Sequence, residues 1–221
     1  MNAESATARD QRQTAKAGFE PLVIIVSGPS GSGKSTLVEK ILELPRTMLS
    51  VSCTTRPPRK IESGAKWYNF ISELEFEQMV ERGDFLEYAQ VFGKHWYGSP
   101  KSWLDQARDK QFDLVLEIDV QGAAQVKAHL PSALAILIVP PSRQELEKRL
   151  RARNQDANEE IARRLDRARQ ELERYHDYQY MVVNDDQARA AMEIQAIVIG
   201  ARCQMGREEH RAQEILKTFG G

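Results

Sequence analysis

An apolar segment runs directly into a glycine-rich loop near the start of the chain, and this stretch constrains the fold most. It reads Leu22-Val-Ile-Ile-Val-Ser-Gly28-Pro-Ser-Gly-Ser-Gly33-Lys34-Ser35-Thr36. Glycines reach backbone angles that side chains forbid, so the N–H groups of such a loop can turn inward around a phosphate. Lys34 adds a mobile positive charge and Ser35 a hydroxyl for Mg²⁺. The pattern therefore predicts a strand, a phosphate-binding loop, and a helix from Lys34 to about Leu44 whose N-terminus faces the phosphates.

A chance match of a Gly/Ser-rich turn is the alternative interpretation of this loop. The apolar strand before it and the amphipathic helix after it, both of which the motif requires, argue against chance.

Further short apolar runs bounded by turn signals follow at 114–118, 134–139 and 180–183, with helical patterns between them. Strands that alternate with helices in this way indicate an α/β fold, in which helices cover both faces of a parallel sheet. The region 51–101 differs, because it has short mixed segments, clustered aromatics and turns. We expect one domain with core segments 21–50 and 102–221 and an inserted small lobe at 51–101.

Local signals predict several helices. Capping boxes at Ser72–Glu75 and Ser142–Glu145 indicate two helix starts, and Ser99-Pro100 is a candidate third start. A further helical pattern begins at Gln187. The apolar positions expected to face inward are Leu74, Met79 and Val80 in the first of these helices, and Ile161, Leu165, Ala168, Leu172 and Tyr175 in a long later one.

Composition limits the range of partners. The 221 residues carry a net charge of -1 and the pI is near 6.5, so no global field attracts nucleic acid or a membrane, and any anion site must be local. Cys53 and Cys203 lack the spacing of a zinc site or a disulfide framework. Residues 1–20 are polar and no apolar run approaches the ~20 residues of a membrane span. We expect a soluble cytoplasmic protein with a disordered tail at 1–20.

Two carboxylates stand in the second apolar strand. Glu117 and Asp119 are at positions i and i+2, which share one face of a strand, and Gln121-Gly122 follow. A charged pair in an apolar strand is costly unless metal, water or substrate donors satisfy it. We therefore expect these acids near Mg²⁺ and the transferred phosphoryl group, rather than in a purely structural role.

The inserted lobe contains candidates for a second phosphate site. Arg56 and Arg59 lie in one proline-stiffened turn, where guanidinium groups match phosphate oxygens. A solvated basic turn is an equal alternative on this segment alone. Tyr68 and Tyr97 are candidate hydroxyl donors to the same phosphate, although single tyrosines are more often half-buried packing residues.

Together these segments resemble guanylate kinase in order and spacing, over about 21–211. The segments are the phosphate loop, Ser52-Cys-Thr-Thr-Arg56-Pro-Pro-Arg59, Tyr68-Asn-Phe, Phe85-Leu-Glu87, Tyr97-Gly-Ser99, Ile118-Asp119-Val-Gln121-Gly122 and Val183-Asn184-Asp185-Asp186. The resemblance implies a P-loop NTPase core with three α/β/α layers, a small GMP-binding lobe and a short helical lid at about 150–165. It also implies transfer of the ATP γ-phosphate to GMP, and to dGMP, with Mg²⁺.

The resemblance assigns roles by matching position. The ATP-binding residues would be Gly28, Pro29, Ser30, Gly31, Ser32, Gly33, Lys34, Ser35 and Thr36, with Asn184 near the adenine. The GMP phosphate would be held by Arg56, Arg59, Tyr68 and Tyr97, and the GMP site would also include Ser52, Glu87, Ser99, Glu117 and Asp119. Ser35 would bind Mg²⁺, with Glu117 or Asp119 acting through water. The catalytic group would be Lys34, Arg56 and the lid arginines Arg153 and Arg164, although most charges around the lid are expected to be solvated helix faces.

Glu87 has a physical rationale of its own. Guanine presents N1–H and an exocyclic amine side by side, and one carboxylate can accept both, whereas adenine offers an acceptor at N1. The chain departs from the family pattern at Ile61 and Asn154, where glycines are usual, and at Glu117, where aspartate is usual.

Two other functions stay open at this point. One is a guanylate-kinase-like module that has lost catalysis and binds a protein partner, although such a module would be expected to lack an intact phosphate loop. The other is a kinase of the same fold that acts on another phosphorylated acceptor. The expected partners are the small molecules ATP and GMP, with no nucleic acid and no membrane, and the oligomeric state is not predicted.

Overall fold

The structure is a computed structural model, and it describes residues 19–58, 68–91, 94–153 and 158–220. The strands in these ranges are β1 (Val23–Ser27), β2 (Thr47–Leu49), β3 (Ser52–Thr54), β4 (Tyr68–Phe70), β5 (Phe85–Val91), β6 (His95–Pro100), β7 (Asp113–Glu117), β8 (Leu134–Val139) and β9 (Tyr180–Val183). The helices are α1 (Lys34–Leu42), α2 (Glu73–Glu81), α3 (Ser102–Lys110), α4 (Val120–His129), α5 (Arg143–Arg153), α6 (Asn158–Leu172), α7 (Gln187–Arg202) and α8 (Met205–Thr218).

The expected α/β fold with parallel strands is confirmed. The four predicted apolar strands are β1, β7, β8 and β9, each within one residue of its expected bounds. Sequence reasoning missed β2, a three-residue strand that pairs in parallel with β7 and is only half-buried. A strand this short has no apolar run of its own, so periodicity cannot reveal it.

The described residues divide into two compact units. The first contains 19–23, 46–58, 68–91, 94–116 and 121–133, and the second contains 24–45, 117–120, 134–153 and 158–220. The division into core, inserted lobe and lid stays a prediction. Most of the expected tail, and the departures at Ile61 and Asn154, lie outside the described residues.

The first unit holds a four-stranded sheet in the order β4-β3-β6-β5, with β3 and β4 parallel and the other pairs antiparallel. Helix α2 packs on a cluster that contains Phe76, Phe85 and Cys53. The capping box at Ser72–Glu75 forms as predicted. The predicted set of inward-facing positions in α2 was partly wrong, however. Leu74, which was expected to be buried, is 64% exposed, whereas Phe76, which was not predicted, is 1% exposed. Phe76 shares a helix face with Met79 and Val80, whereas Leu74 lies two residues earlier and points away.

In the second unit β8 lies between β1 and β9, and all three strands are parallel. Helices α5 and α6 form a cluster with the predicted positions Ile161, Leu165 and Ala168. Tyr175 was wrongly placed in this face, since α6 ends at Leu172 and Tyr175 is 51% exposed. The side chain that continues the buried face is Glu171.

The C-terminal helical pattern is divided. Helix α7 ends at Arg202 and α8 begins at Met205.

Cys53 and Cys203 are free thiols. None of the helices in the part of the chain that the structure describes has both the length and the apolar character that a membrane span requires.

Candidate active site

The phosphate loop joins β1 to α1, and its glycines adopt backbone angles that other residues avoid. Gly28 has φ 142 and Gly33 has φ 93, which are backbone angles that L side chains rarely adopt. A Cβ at Gly28 would lie 2.1 Å from the carbonyl oxygen of Ile138 in β8. The loop therefore passes so close to the neighbouring strand that no side chain fits at position 28.

Lys34 is folded over its own loop. Its Nζ donates to the carbonyl oxygen of Gly28 at 2.6 Å and to that of Pro29 at 3.1 Å. The backbone N–H of Ser32 also donates to Pro29, which closes the turn. The ammonium group is consequently held at the loop whose N–H groups are expected to surround a phosphate.

A hydroxyl and a carboxylate meet at the start of α1. Ser35 Oγ donates to Glu117 Oε1 at 2.8 Å. Mg²⁺ is usually bound by one or two protein oxygens together with substrate phosphates and water, rather than by an all-protein cage. The described residues contain no group of three or more His, Cys, Asp or Glu that could hold a metal ion. The hydroxyl of Ser35 and the carboxylate of Glu117 are oxygen ligands of the kind that Mg²⁺ prefers, so they fit an ion that arrives with a nucleotide.

Asp119 belongs to a charged network that sequence reasoning did not find. Arg167 donates to Asp119 Oδ2 at 3.2 Å and to Glu171 Oε1 at 2.9 Å. Burial raises the pKa of Glu171, and the hydrogen bond from Arg167 opposes this shift. A signal for the network was present in the sequence, because Glu171 follows Ala168 at helical spacing on the apolar face of α6. A charged residue at a core position requires a partner.

Asn184, at the end of β9, contacts the phosphate loop. Its Nδ2 donates to the carbonyl oxygen of Ser32 at 2.8 Å, and the residue is buried. Arg149 of α5, which was not predicted, donates to the carbonyl oxygen of Asn184 at 2.8 Å and to Glu145 at 3.0 Å. The expected place of Asn184 near an adenine stays a prediction.

The expected lid arginines are only partly described. Arg164 Nε lies 3.6 Å from Glu160 Oε1 within α6, and its side chain is 17% exposed. Arg153 is the last residue of α5, and its side chain lies outside the described residues. Their catalytic role stays a prediction.

In the first unit, three buried polar side chains are connected. Ser99 Oγ donates to Glu87 Oε1 at 2.7 Å, and the hydroxyls of Ser52 and Ser99 are 3.3 Å apart. Ser99 is therefore not a helix N-cap. It pairs with Glu87 between strands β6 and β5, and β6 continues to Pro100, so that α3 begins only at Ser102.

Arg56 lies among aromatic side chains. Its Nε donates to the Tyr97 hydroxyl at 3.1 Å, and its guanidinium carbon is 5.5 Å from the ring centroids of Tyr68 and Phe70. These contacts favour an ordered guanidinium over a freely solvated turn. Arg59, its expected companion, lies outside the described residues.

The parallel α/β arrangement, with a glycine loop between β1 and α1 and a carboxylate beside Ser35, defines the class of P-loop nucleotide-binding proteins. Residues 20–200 match the family model described as guanylate kinase. The chain belongs to the guanylate kinase family.

Individual relatives agree with this assignment. A protein of Myxococcus xanthus named guanylate kinase is 44% identical over 84% of this chain and 90% of its own length. A protein of the same name from Photobacterium profundum is 43% identical over 88% of this chain and 95% of its own length. The crystal structure of guanylate kinase from Anaplasma phagocytophilum matches with a TM-score of 0.71 and 32% identity, over 86% of this chain and 90% of that one.

Proposed function

We propose that the protein transfers the γ-phosphate of ATP to GMP, and to dGMP, giving ADP and GDP with Mg²⁺. The observation that carries the choice of acceptor is the buried Glu87 carboxylate, which accepts a hydrogen bond from Ser99 inside a sheet. A carboxylate accepts through two oxygens with about four lone-pair sites, and the N1–H and amine of guanine are two donors with the matching spacing.

On the donor side, Lys34 and the loop N–H groups would bind the β- and γ-phosphates of ATP. Displacement of the Gly28 and Pro29 carbonyls by phosphate would free the ammonium for the γ-phosphate. Mg²⁺, held by Ser35 with Glu117 or Asp119 acting through water, would neutralise the phosphate charge. Asn184 would hold the loop in shape through Ser32 and would lie near the adenine.

On the acceptor side, Arg56, with Tyr97 and Tyr68 beside it, would bind the GMP phosphate, and Arg59 would join it. Ser52 and Ser99 would complete the nucleoside site around Glu87. An oxygen of the GMP phosphate attacks the γ-phosphorus, and the bond to the β-phosphate oxygen breaks as ADP leaves. The protein contributes alignment and charge neutralisation rather than covalent chemistry.

Arg153 and Arg164 would act as the lid arginines at about 150–165, adding positive charge and excluding water from the transferred group. This role rests on the family resemblance and on the position of Arg164 in α6.

The test measures ADP formation with GMP, dGMP, AMP, CMP and UMP as acceptors, with and without EDTA. We expect turnover with GMP and dGMP only, and its loss when EDTA removes Mg²⁺. Turnover with none of the acceptors would favour a binding module, and a preference for another acceptor would favour a different kinase of this fold.

A further inference from the structure

The strand that carries Glu87 pairs with β6 and is also contacted by a side chain of helix α4, Gln125. Strand β5 is an edge strand of the four-stranded sheet. At Tyr88, the residue after Glu87, the backbone N–H donates to Gln125 Oε1 at 3.2 Å, and Gln125 Nε2 donates to the Tyr88 carbonyl at 2.8 Å. A carboxamide has an acceptor oxygen and an NH₂ donor group, so it satisfies both backbone groups as a neighbouring strand would.

The same helix also approaches the Glu87 carboxylate directly. Gly122 lies three residues before Gln125 and is buried. A Cβ at Gly122 would lie 2.5 Å from Glu87 Oε2 and 2.9 Å from its Cδ. A contact this short would force the carboxylate or the helix to move, because the carboxylate occupies the space that a side chain at position 122 would need.

We propose that Gly122 and Gln125 of α4 are positioning residues that determine guanine selectivity by fixing the Glu87 carboxylate. Gly122 leaves room for Oε2, and Gln125 fixes the backbone next to Glu87. Ser99 orients the other oxygen, Oε1. The inference rests on the proposed function, because it requires that Glu87 bind the guanine base.

Selectivity should be sensitive to this placement because guanine needs both carboxylate oxygens at once. A shifted carboxylate can keep one hydrogen bond, to N1–H, while it loses the other, to the exocyclic amine. IMP distinguishes the two hydrogen bonds, because its base can form the one to N1–H but has no exocyclic amine for the other. The ratio of the IMP to the GMP dissociation constant therefore reports the second hydrogen bond.

The first variant is Gln125→Met, which keeps side-chain length and helix propensity but loses both hydrogen bonds to Tyr88. We expect the IMP/GMP ratio of dissociation constants to fall about tenfold, the size of one lost hydrogen bond to a charged group. ATP affinity should not change. The matched control is Gln78→Met, an exposed position of α2 in the same unit.

The second variant is Gly122→Ala, with Gly200→Ala in α7 as its control, because a Cβ at Gly200 meets nothing within 4 Å. Gly122→Ala should lower the ratio at least as much as Gln125→Met. In a Glu87→Ala background, where the ratio should be near one, Gln125→Met should have no further effect, since it acts through Glu87. Thermal unfolding identifies variants that fail to fold, and Gln125→Met keeps the test decisive if Gly122→Ala is among them.

Folded variants with the wild-type ratio would overturn the inference. So would equal losses of GMP and IMP affinity, because a merely structural role predicts loss without a change of selectivity. Failure of the proposed function looks different: the wild-type protein itself would not prefer GMP to IMP, and Glu87→Ala would not alter its preference.

Discussion

The side-chain amide of Asn184 donates a hydrogen bond to the backbone carbonyl of Ser32 at 2.8 Å, which ties the end of β9 to the phosphate loop. Both residues are buried. Gly33 lies against the same amide, since a Cβ there would be 2.1 Å from Asn184 Nδ2. The shape of the loop therefore depends on a residue far away in sequence.

Asn184→Asp should weaken ATP binding and lower stability, because a carboxylate cannot donate to the Ser32 carbonyl and two acceptors would face each other. We expect a loss of about 1–3 kcal/mol in the free energy of unfolding, measured by denaturant titration. Asn158→Asp is the control, since Asn158 accepts a hydrogen bond from Arg151 through Oδ1 and aspartate keeps that acceptor. Equal effects of the two changes would contradict the role given to the amide.

Lys34→Ala should reduce kcat for phosphoryl transfer by roughly two to three orders of magnitude, because the transition state loses the positive charge that Lys34 supplies at the phosphate loop. GMP affinity should stay near normal. Steady-state kinetics and GMP titration measure the two effects. Lys40→Ala on the same helix, where Lys40 forms an exposed ion pair with Glu43, should change neither. An ordinary kcat for Lys34→Ala would exclude this loop as the ATP site.

Gly28→Ala should destabilise the protein by more than about 2 kcal/mol and abolish ATP binding. The new Cβ would meet the carbonyl of Ile138 at 2.1 Å, on a backbone with φ 142. Gly200→Ala, inside α7 and in open space, should instead stabilise by about 0.5–1 kcal/mol. Thermal and denaturant unfolding of both variants tests whether the free energy of unfolding changes in opposite directions. A Gly28→Ala variant with unchanged stability would refute the close approach of Gly28 to the Ile138 carbonyl.

Glu87→Gln should relax or destroy guanine recognition more than it disturbs folding. An amide has one acceptor oxygen and cannot accept both guanine donors. We expect kcat/KM for GMP to fall by about tenfold to a hundredfold, while KM for ATP is retained. Glu77→Gln on the exposed face of α2 is the control. If selectivity between GMP and AMP is unchanged, the base is bound elsewhere.

Tyr178 should make stability depend on alkaline pH. Burial raises the pKa of Tyr178 to about 12, from an ordinary value of 10.0. The nearby Ser27 hydroxyl lowers this pKa somewhat, although the two hydroxyls do not form a hydrogen bond of normal geometry. The unfolded chain therefore loses this proton first as pH rises. The raised pKa of Tyr178 therefore contributes about 2–3 kcal/mol to the free energy of unfolding. This contribution is complete below pH 10 and is lost as the pH rises toward 12.

Tyr178→Phe should be close to neutral in stability at pH 7, because among the described residues the Tyr178 hydroxyl has no hydrogen-bond partner. Between pH 10 and 12 the variant should lose less stability than the wild type. Tyr175→Phe, at an exposed neighbouring position, should follow the wild-type curve. Denaturant unfolding across this pH range provides the measurement, and parallel curves for Tyr178→Phe and wild type would disprove the shift.

The predictions from sequence succeeded where the determinants are local. The phosphate loop, the helix that follows it and the Ser72–Glu75 capping box depend on residues a few positions apart. Continuous apolar runs bounded by turn signals also indicated β1, β7, β8 and β9.

The failures share a different cause, which is pairing between distant segments. Ser99-Pro100 has the local signature of a helix start, but pairing of β6 with β5 extends the strand through both residues. The networks of Arg167 with Asp119, and of Gln125 with Tyr88, join residues that are 48 and 37 positions apart. Glu171 on the apolar face of α6 signals that some partner is needed, but no local pattern identifies Asp119 or Tyr88 as a partner, so these contacts became visible only in three dimensions.

The two hydrogen bonds between Gln125 and Tyr88 also bear on how this protein behaves at high concentration. An exposed edge strand with unpaired backbone groups is a template for pairing with a second chain and thus for aggregation. Gln125 covers the middle of β5 at the cost of one side chain. Loss of this carboxamide would open the edge, so self-association of the variant in concentrated solution would follow from the same contact that holds the strand in place.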